Sequence, residues 1–236
     1  MSLGQSLSED VLFQKNAFIP DEKTSCFGIL RHARTVWNAS GKIQGQQDSP
    51  LTEDGRQDAE RWARLLARWK WDRLLASDLG RALETAHRIA SIIGLPIDSD
   101  ARLREMDWGV WTGLTMAEIR AHFPMIWEKA SSGDWTFSPP QGERYLDVHR
   151  RASAALRDAA DRYPRQRILV VCHEGTLKCL YYHPESRRPS AEVDPVPPMQ
   201  SGCLQLFGID RQGIFLFRPN ALILSEPAPM RSAGSR

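Results

Sequence analysis

Four short stretches of this chain hold the residue types that phosphoryl chemistry needs. They are Arg31-His32, Arg81 in Ser77-Asp78-Leu79-Gly80-Arg81, Glu105 in Leu103-Arg104-Glu105-Met106-Asp107, and His173 in His173-Glu174-Gly175. A guanidinium stays charged at any working pH and donates in planar pairs, which suits the oxygens of a dianionic phosphate. A neutral imidazole has a lone pair that can attack phosphorus and split one hard displacement into two easier ones. The arginines and the second imidazole would offset charge on the equatorial oxygens, work that magnesium shares in kinases. Glu105 is the candidate proton donor for the departing oxygen.

These residues need a scaffold that gathers them. Cys26-Phe27-Gly28-Ile29-Leu30, Arg73-Leu74-Leu75-Ala76 and Ile168-Leu169-Val170-Val171-Cys172 read as strands, and their unbroken apolar character suits a parallel sheet buried on both faces. Between them run segments of helical period. Thr52 caps one whose face is Ala59, Trp62, Ala63, Leu66 and Trp69. Asp78 is the expected cap of a second, with Leu79, Ala82, Leu83, Ala86, Ile89, Ala90 and Ile93 inward before Gly94 and Pro96 stop it. A third spans about residues 144–163, with Leu146, Ala152, Ala155, Leu156 and Ala159 inward. Alternation around Asp210-Arg211-Gln212 predicts a hairpin. The pattern predicts a three-layer α/β/α sandwich with a mostly parallel sheet, in which ligands sit beyond the carboxyl ends of the strands. Arg31-His32, the Ser77 to Arg81 stretch and His173-Glu174-Gly175 each follow a strand directly, so the fold brings them to one rim.

Blander readings compete at several positions. His173-Glu174 opens like a zinc-binding HExxH, but Leu177 fills the fifth position, so no metal is expected there. Gly41-Lys42 lacks the rest of a nucleotide-binding loop. His87, His122, His149 and His183 read as structural or surface residues, and Arg150-Arg151 and Arg187-Arg188 as solvated faces. Trp108, Trp111, Trp127 and Trp135 read mainly as core, with one or two as candidate walls of a substrate pocket.

The 236 residues carry 31 Lys+Arg against 29 Asp+Glu, a net charge of +2, so composition gives no reason to expect nucleic-acid or membrane-surface binding. With 42% hydrophobic and 25% charged residues the chain has globular composition. No apolar run approaches the ~18 residues that suggest a membrane span. The first ten residues lack a basic start and apolar stretch. Cys26, Cys172, Cys179 and Cys203 form no close pair and read as reduced thiols, so a cytoplasmic setting is expected. Residues 1–23 read as an extension, residues 24–226 as one domain, and residues 227–236 as a flexible tail. The chain is expected to act as a monomer or homodimer.

The same stretches carry a family resemblance. Leu30-Arg31-His32-Ala33-Arg34-Thr35-Val36-Trp37-Asn38 resembles the signature of the histidine phosphatase (phosphoglycerate mutase-like) superfamily. The run from Gln44-Gly45 through Ser49-Pro50-Leu51-Thr52 to Gly55 resembles its downstream loop. The stretches from Ser77 to Ala86, around Leu103-Arg104-Glu105, and Val170 to Gly175 resemble its remaining motifs. The resemblance spans about residues 24–224 and is nearest to α-ribazole phosphatases and broad-specificity phosphatases.

It implies a cofactor-free and metal-free site. His32 would be the nucleophile, Arg31, Arg81 and His173 would bind the phosphoryl group with Asn38 helping, and Glu105 would be acid and then base. Gln44 and Glu143 would shape the substrate pocket. The implied partner is a small phosphorylated metabolite. Only about 40 residues separate Glu105 from Glu143, less than the insert of the mutases, which favours hydrolysis over a phosphoglycerate mutase-type transfer. Three departures stand out: Ala33 where the family has glycine, Arg34 as a possible extra phosphate contact, and Glu174 after the second histidine. Ala33 and Glu174 keep open a third reading, an impaired phospholigand-binding module.

Overall fold

The computed structural model of the chain describes residues 24–130, 132–186, 197–211 and 213–224. The expected extension, the tail and Arg187-Arg188 lie outside them. Six strands, β1 (Ser25–Arg31), β2 (Arg73–Ala76), β3 (Ile97–Ser99), β4 (Arg167–Cys172), β5 (Cys203–Asp210) and β6 (Gly213–Ile223), form one sheet in the order β3-β2-β4-β1-β5-β6. From β3 to β1 all pairings are parallel, whereas β5 pairs antiparallel with both β1 and β6. The helices are α1 (Val36–Ala39), α2 (Glu53–Leu66), α3 (Gly80–Ile93), α4 (Met116–His122), α5 (Pro124–Ala130), α6 (Tyr145–Arg162) and α7 (Glu174–Tyr182). The expected three-layer sandwich and its closing hairpin are present, and β6 runs on past Phe217 to Ile223.

Strand alternation explains the two cores. In β4, Ile168, Val170 and Cys172 pack with Ala152, Leu156, Leu177 and Leu180 of α6 and α7. Leu169 and Val171 pack with Trp62, Leu66, Ala82 and Ile89 of α2 and α3. The five β4 side chains from Ile168 to Cys172 are fully buried, each worth roughly 1.5–3 kcal/mol at most, which is why the strand reads as one apolar run. On α6 the buried stripe is Val148, His149, Ala152, Ala155, Leu156 and Ala159; Leu146, expected inward, is only half-buried in the first turn.

Thr52 caps α2 as expected, accepting from Gly55 N at 3.0 Å. Asp78 does not cap α3. Its carboxylate is held by Arg104 through two bonds of 2.7 and 2.6 Å, a bidentate charged pairing stronger than one backbone N–H. Asp48, far back in the chain, takes the capping role, accepting from Gly80 N at 2.7 Å and Arg81 N at 3.3 Å.

Register sets the site. Leu30 and Ala76 both stand opposite Val171, and Arg31 opposite Cys172. One residue on, His32 N donates to Cys172 O and Ser77 N to Val171 O, each at 2.9 Å. Arg31-His32, Ser77 and His173 therefore leave the sheet at one level, its carboxyl end. Residues 106–130 and 132–145 add a further, smaller core there, built on Trp111, Ile119 and Phe137.

Candidate active site

His32 is buried, and its Nδ1 lies 2.8 Å from Ala33 O. A carbonyl only accepts, so the ring proton sits on Nδ1 and the lone pair on Nε2. Arg81 Nε donates to that Nε2 at 3.2 Å. Burial first, then the charges of Arg31 and Arg81, hold His32 well below the ordinary imidazole range, so the ring is neutral with a lone pair on Nε2. The His173 ring centroid is 5.1 Å away. Burial, then His32 and Arg81, lowers His173 in the same way. Its Nε2 is 2.8 Å from Ser77 Oγ, which already accepts from Leu79 N at 3.3 Å and can donate its own proton to the ring. That donation leaves the N–H on Nδ1, the buried nitrogen that no group among the described residues satisfies.

Arg81 is 2% exposed. It donates to Gly45 O and Gln47 O at 2.7 Å and to Asp48 Oδ1 at 2.9 Å. The Asp48 carboxylate offsets both the guanidinium and the positive end of α3. Arg31 pairs with Glu174, which also accepts from Lys178 Nζ at 2.7 Å. Glu174 thus faces the rim. Burial works to raise its pKa, but Arg31 and Lys178 prevail and hold it below the usual carboxylate range, so it is charged.

The other departures are structurally mild. Ala33 has no left-handed backbone; its methyl packs with Leu51 and Ala59, and its N donates to Thr85 Oγ1 at 3.0 Å. Ala33 does not line the cavity. Arg34 does not reach the cavity: its side chain is exposed, while its carbonyl accepts from Thr52 N at 2.9 Å. At Gly55, α2 approaches that carbonyl so closely that a Cβ would collide with it.

Glu105 is 9% exposed. One carboxylate oxygen accepts from Met106 N at 2.7 Å and the other from Gly175 N at 3.1 Å, which fixes the group at the rim beside α7. A Cβ on Gly175 would run into this carboxylate, so glycine is required for the approach. Gly175→Ala is expected to push Glu105 aside and lower kcat/KM by about 10²-fold with little change in the urea midpoint. A wild-type rate from a folded Gly175→Ala protein would mean that the position of Glu105 is not critical.

Asn38 and Gln44 line the cavity as expected. Asn38 Oδ1 accepts from Thr35 N at 3.1 Å in the capping box of α1, and Gln44 Oε1 is buried without a partner among the described residues. Glu143 does not line it. Its carboxylate is occupied behind the wall by Asp107 N at 3.0 Å and by Arg151 at 2.8 and 2.9 Å, which removes it from direct substrate contact. Arg151 is likewise not a solvated charge. It donates to the carbonyls of Arg102, Arg104 and Glu105 at 2.7, 2.6 and 3.1 Å, clasping the turn that carries Glu105. The sequence holds the signal: Arg151 stands three residues after Val148 and four before Ala155, on the buried stripe of α6. Its neighbour Arg150 is solvated as expected.

The cavity measures about 810 Å³, and Trp108, Trp111, Trp127 and Trp135 all line it. Cys179 is also in the wall, but burial first, then the Glu105 charge, pushes its thiol up to about 12, which keeps it protonated. Outside the cavity, His149, His183 and Glu185 bring ligand atoms within 4.8 Å of one another. The two rings stack at 3.6 Å and 17°, so their in-plane lone pairs run side by side and do not converge on one ion. Burial, then the neighbouring His183, lowers His149 to about 4.

These neutral buried imidazoles set an acid limit on stability. An unfolded imidazole binds its proton near pH 6.5, whereas His32, His149 and His173 refuse it when folded. Their contribution is complete above pH 6.5 and is lost as pH falls toward the folded values, for His149 about 4. Each ring is expected to cost up to about 1.4 kcal/mol per pH unit in that window. The urea midpoint should fall clearly between pH 7 and pH 5; a constant midpoint would mean the rings are charged in the folded protein.

The histidine phosphatase superfamily (branch 1) matches residues 27–221, and the chain belongs to that family. It is similar to phosphoglycerate mutase-like protein 4 of Arabidopsis thaliana, 37% identical over 187 residues that cover 78% of this chain and 80% of the relative. Among solved structures it is similar to the mycobacterial glucosyl-3-phosphoglycerate phosphatase, with TM-score 0.72, 29% identity, and 84% of this chain and 100% of that one covered. It is also similar to the α-ribazole phosphatase of Shigella flexneri, with TM-score 0.66, 26% identity, and 86% and 100% covered. The kinship is with phosphatase- and mutase-type enzymes. No helix among the described residues is long and apolar enough to cross a membrane.

Proposed function

We propose that the protein is a metal-independent phosphomonoester hydrolase of the cytoplasm that passes the phosphoryl group of a small phosphorylated metabolite through a phosphohistidine at His32. The observation that carries this reading is the His32 ring itself, buried, protonated on Nδ1, with Nε2 facing Arg81 at 3.2 Å. Nε2 attacks phosphorus and forms the N–P bond as the ester P–O bond breaks. The leaving oxygen takes a proton from the Glu105 carboxyl and departs as the alcohol. Water then gives its proton to Glu105 and attacks phosphorus, the N–P electron pair returns to Nε2, and inorganic phosphate leaves. Arg31, Arg81 and His173 stabilise the three equatorial oxygens throughout. Substrate must draw Arg31 away from Glu174, and Lys178 is in place to hold the released carboxylate. Four buried free thiols agree with a reducing compartment.

The test is a panel of phosphomonoesters assayed with and without a strong chelator. Turnover is expected to be unchanged by chelation, with one inorganic phosphate released per alcohol. Loss of activity on chelation, restored by a divalent metal, would overturn the metal-independent reading. Isomerisation of a phosphoglycerate without phosphate release would replace hydrolysis by the mutase-type transfer named in the Arabidopsis relative.

A further inference from the structure

The cavity is far larger than a phosphate or a three-carbon phosphoester requires. At about 810 Å³ it lies toward the upper end of the ~300–1,000 Å³ range of sites that enclose drug-sized ligands. Its floor is the phosphoryl site. Its remaining wall is apolar and aromatic, formed chiefly by Ile43, Trp108, Met116, Trp127, Trp135 and Tyr182. The indoles are fixed by their neighbours: Trp108 stacks on Trp111 at 6.0 Å and 14°, and Trp127 lies 6.3 Å from the same ring.

Three of the four cations that line the cavity are already committed. Arg31 and Lys178 pair with Glu174, and Arg81 is tied to Asp48 and the 45–47 loop. Lys42, exposed in the lining with the Trp37 ring 5.9 Å away, is a single cation that no carboxylate among the described residues pairs. Glu105 and Glu174 add two carboxylates to the lining. A substrate arriving with a second anionic group, such as a carboxylate, would meet the solvated Lys42 and no cation cluster, and would face Glu174 once that residue had yielded Arg31.

We infer that the substrate is a phosphomonoester of an uncharged alcohol carrying a large apolar ring system, which lies against the tryptophan wall while its phosphate reaches His32. This inference rests on the phosphatase reading above. Indole faces give such a ring contact area and stacking while excluding water from the site, and Glu174 selects against acidic alcohols such as glycerate.

The experiment compares esters whose leaving alcohols are equally poor, so that chemistry does not mask binding: ethyl phosphate, 2-(2-naphthyl)ethyl phosphate and 3-phosphoglycerate. The naphthylethyl ester is expected to exceed ethyl phosphate in kcat/KM by about a hundredfold, and 3-phosphoglycerate to be the poorest of the three. Trp127→Ala should cut the naphthylethyl advantage by about tenfold or more. Binding of the matching phosphonates to the natural chain, read by tryptophan quenching, gives the same preference without turnover and independently of any variant. Equal kcat/KM for the two alkyl esters, or 3-phosphoglycerate as the best substrate, would overturn the inference. Tight naphthylethylphosphonate binding without hydrolysis of any ester would remove the phosphatase reading while upholding the ring-binding cavity. Equal binding of the two phosphonates would remove the cavity claim alone.

Discussion

Replacing His32 with alanine is expected to lower kcat/KM for every phosphomonoester by at least about 10⁴-fold, equivalent to ~5 kcal/mol of transition-state stabilisation. The loss should be this large because the ring does more than polarise water. Its Nε2 is the atom that accepts the phosphoryl group, and the surrounding donors are aimed at a group attached there. Arg81 is held rigidly by Gly45 O, Gln47 O and Asp48, and its position does not depend on His32. The phosphate pocket should therefore survive, and His32→Ala should bind inorganic phosphate with an affinity close to that of the natural chain. Competition assays and calorimetry separate the two effects. Substantial residual turnover in the variant would show that water attacks the ester directly and that His32 is only an electrostatic neighbour.

The second large effect is expected from Glu105→Gln, and its signature is a split between steps. The glutamine keeps the shape, and its single oxygen can accept from Met106 N or from Gly175 N but not from both, while its amide can neither give nor take the proton. With a poor leaving group such as an alkyl alcohol, the phosphorylation step should slow by about 10³-fold, within the ~10²–10⁴ that general acid catalysis supplies. With 4-nitrophenyl phosphate, whose phenolate leaves unaided, phosphorylation should slow by about tenfold or less. Dephosphorylation still needs a base for water, so rapid mixing should show a burst of about one nitrophenolate per enzyme followed by slow turnover. A uniform loss with no burst would take the proton from some other group.

Much of this site was legible because each chemical stretch follows a strand. Unbroken apolar runs such as Ile168 to Cys172 identify strands buried on both faces, and parallel register then forces their ends to one rim. What the sequence hid depends on long-range choice among equivalent groups. Asp78 stands where a helix cap belongs, yet Arg104 claims it and Asp48 caps instead, because a carboxylate goes to the partner that folding brings and not to the nearest N–H. Arg151 looked like half of a solvated pair, although its place on the α6 stripe points it at the Glu105 turn. Glu143 followed Arg151 out of the substrate pocket for the same reason. The four tryptophans were divided between core and pocket, and the structure gives them both tasks: Trp111 is 1% exposed in a hydrophobic core and still forms part of the cavity wall.

The central claim is a covalent bond between His32 and phosphorus. The protein should be mixed with a ³²P-labelled phosphomonoester, quenched within milliseconds, and digested under alkaline conditions for peptide mapping. The account expects label that survives alkali, is released by mild acid, maps to the peptide containing His32, and is absent from His32→Ala. Label at any other residue, or none at a time when product is already forming, would contradict it.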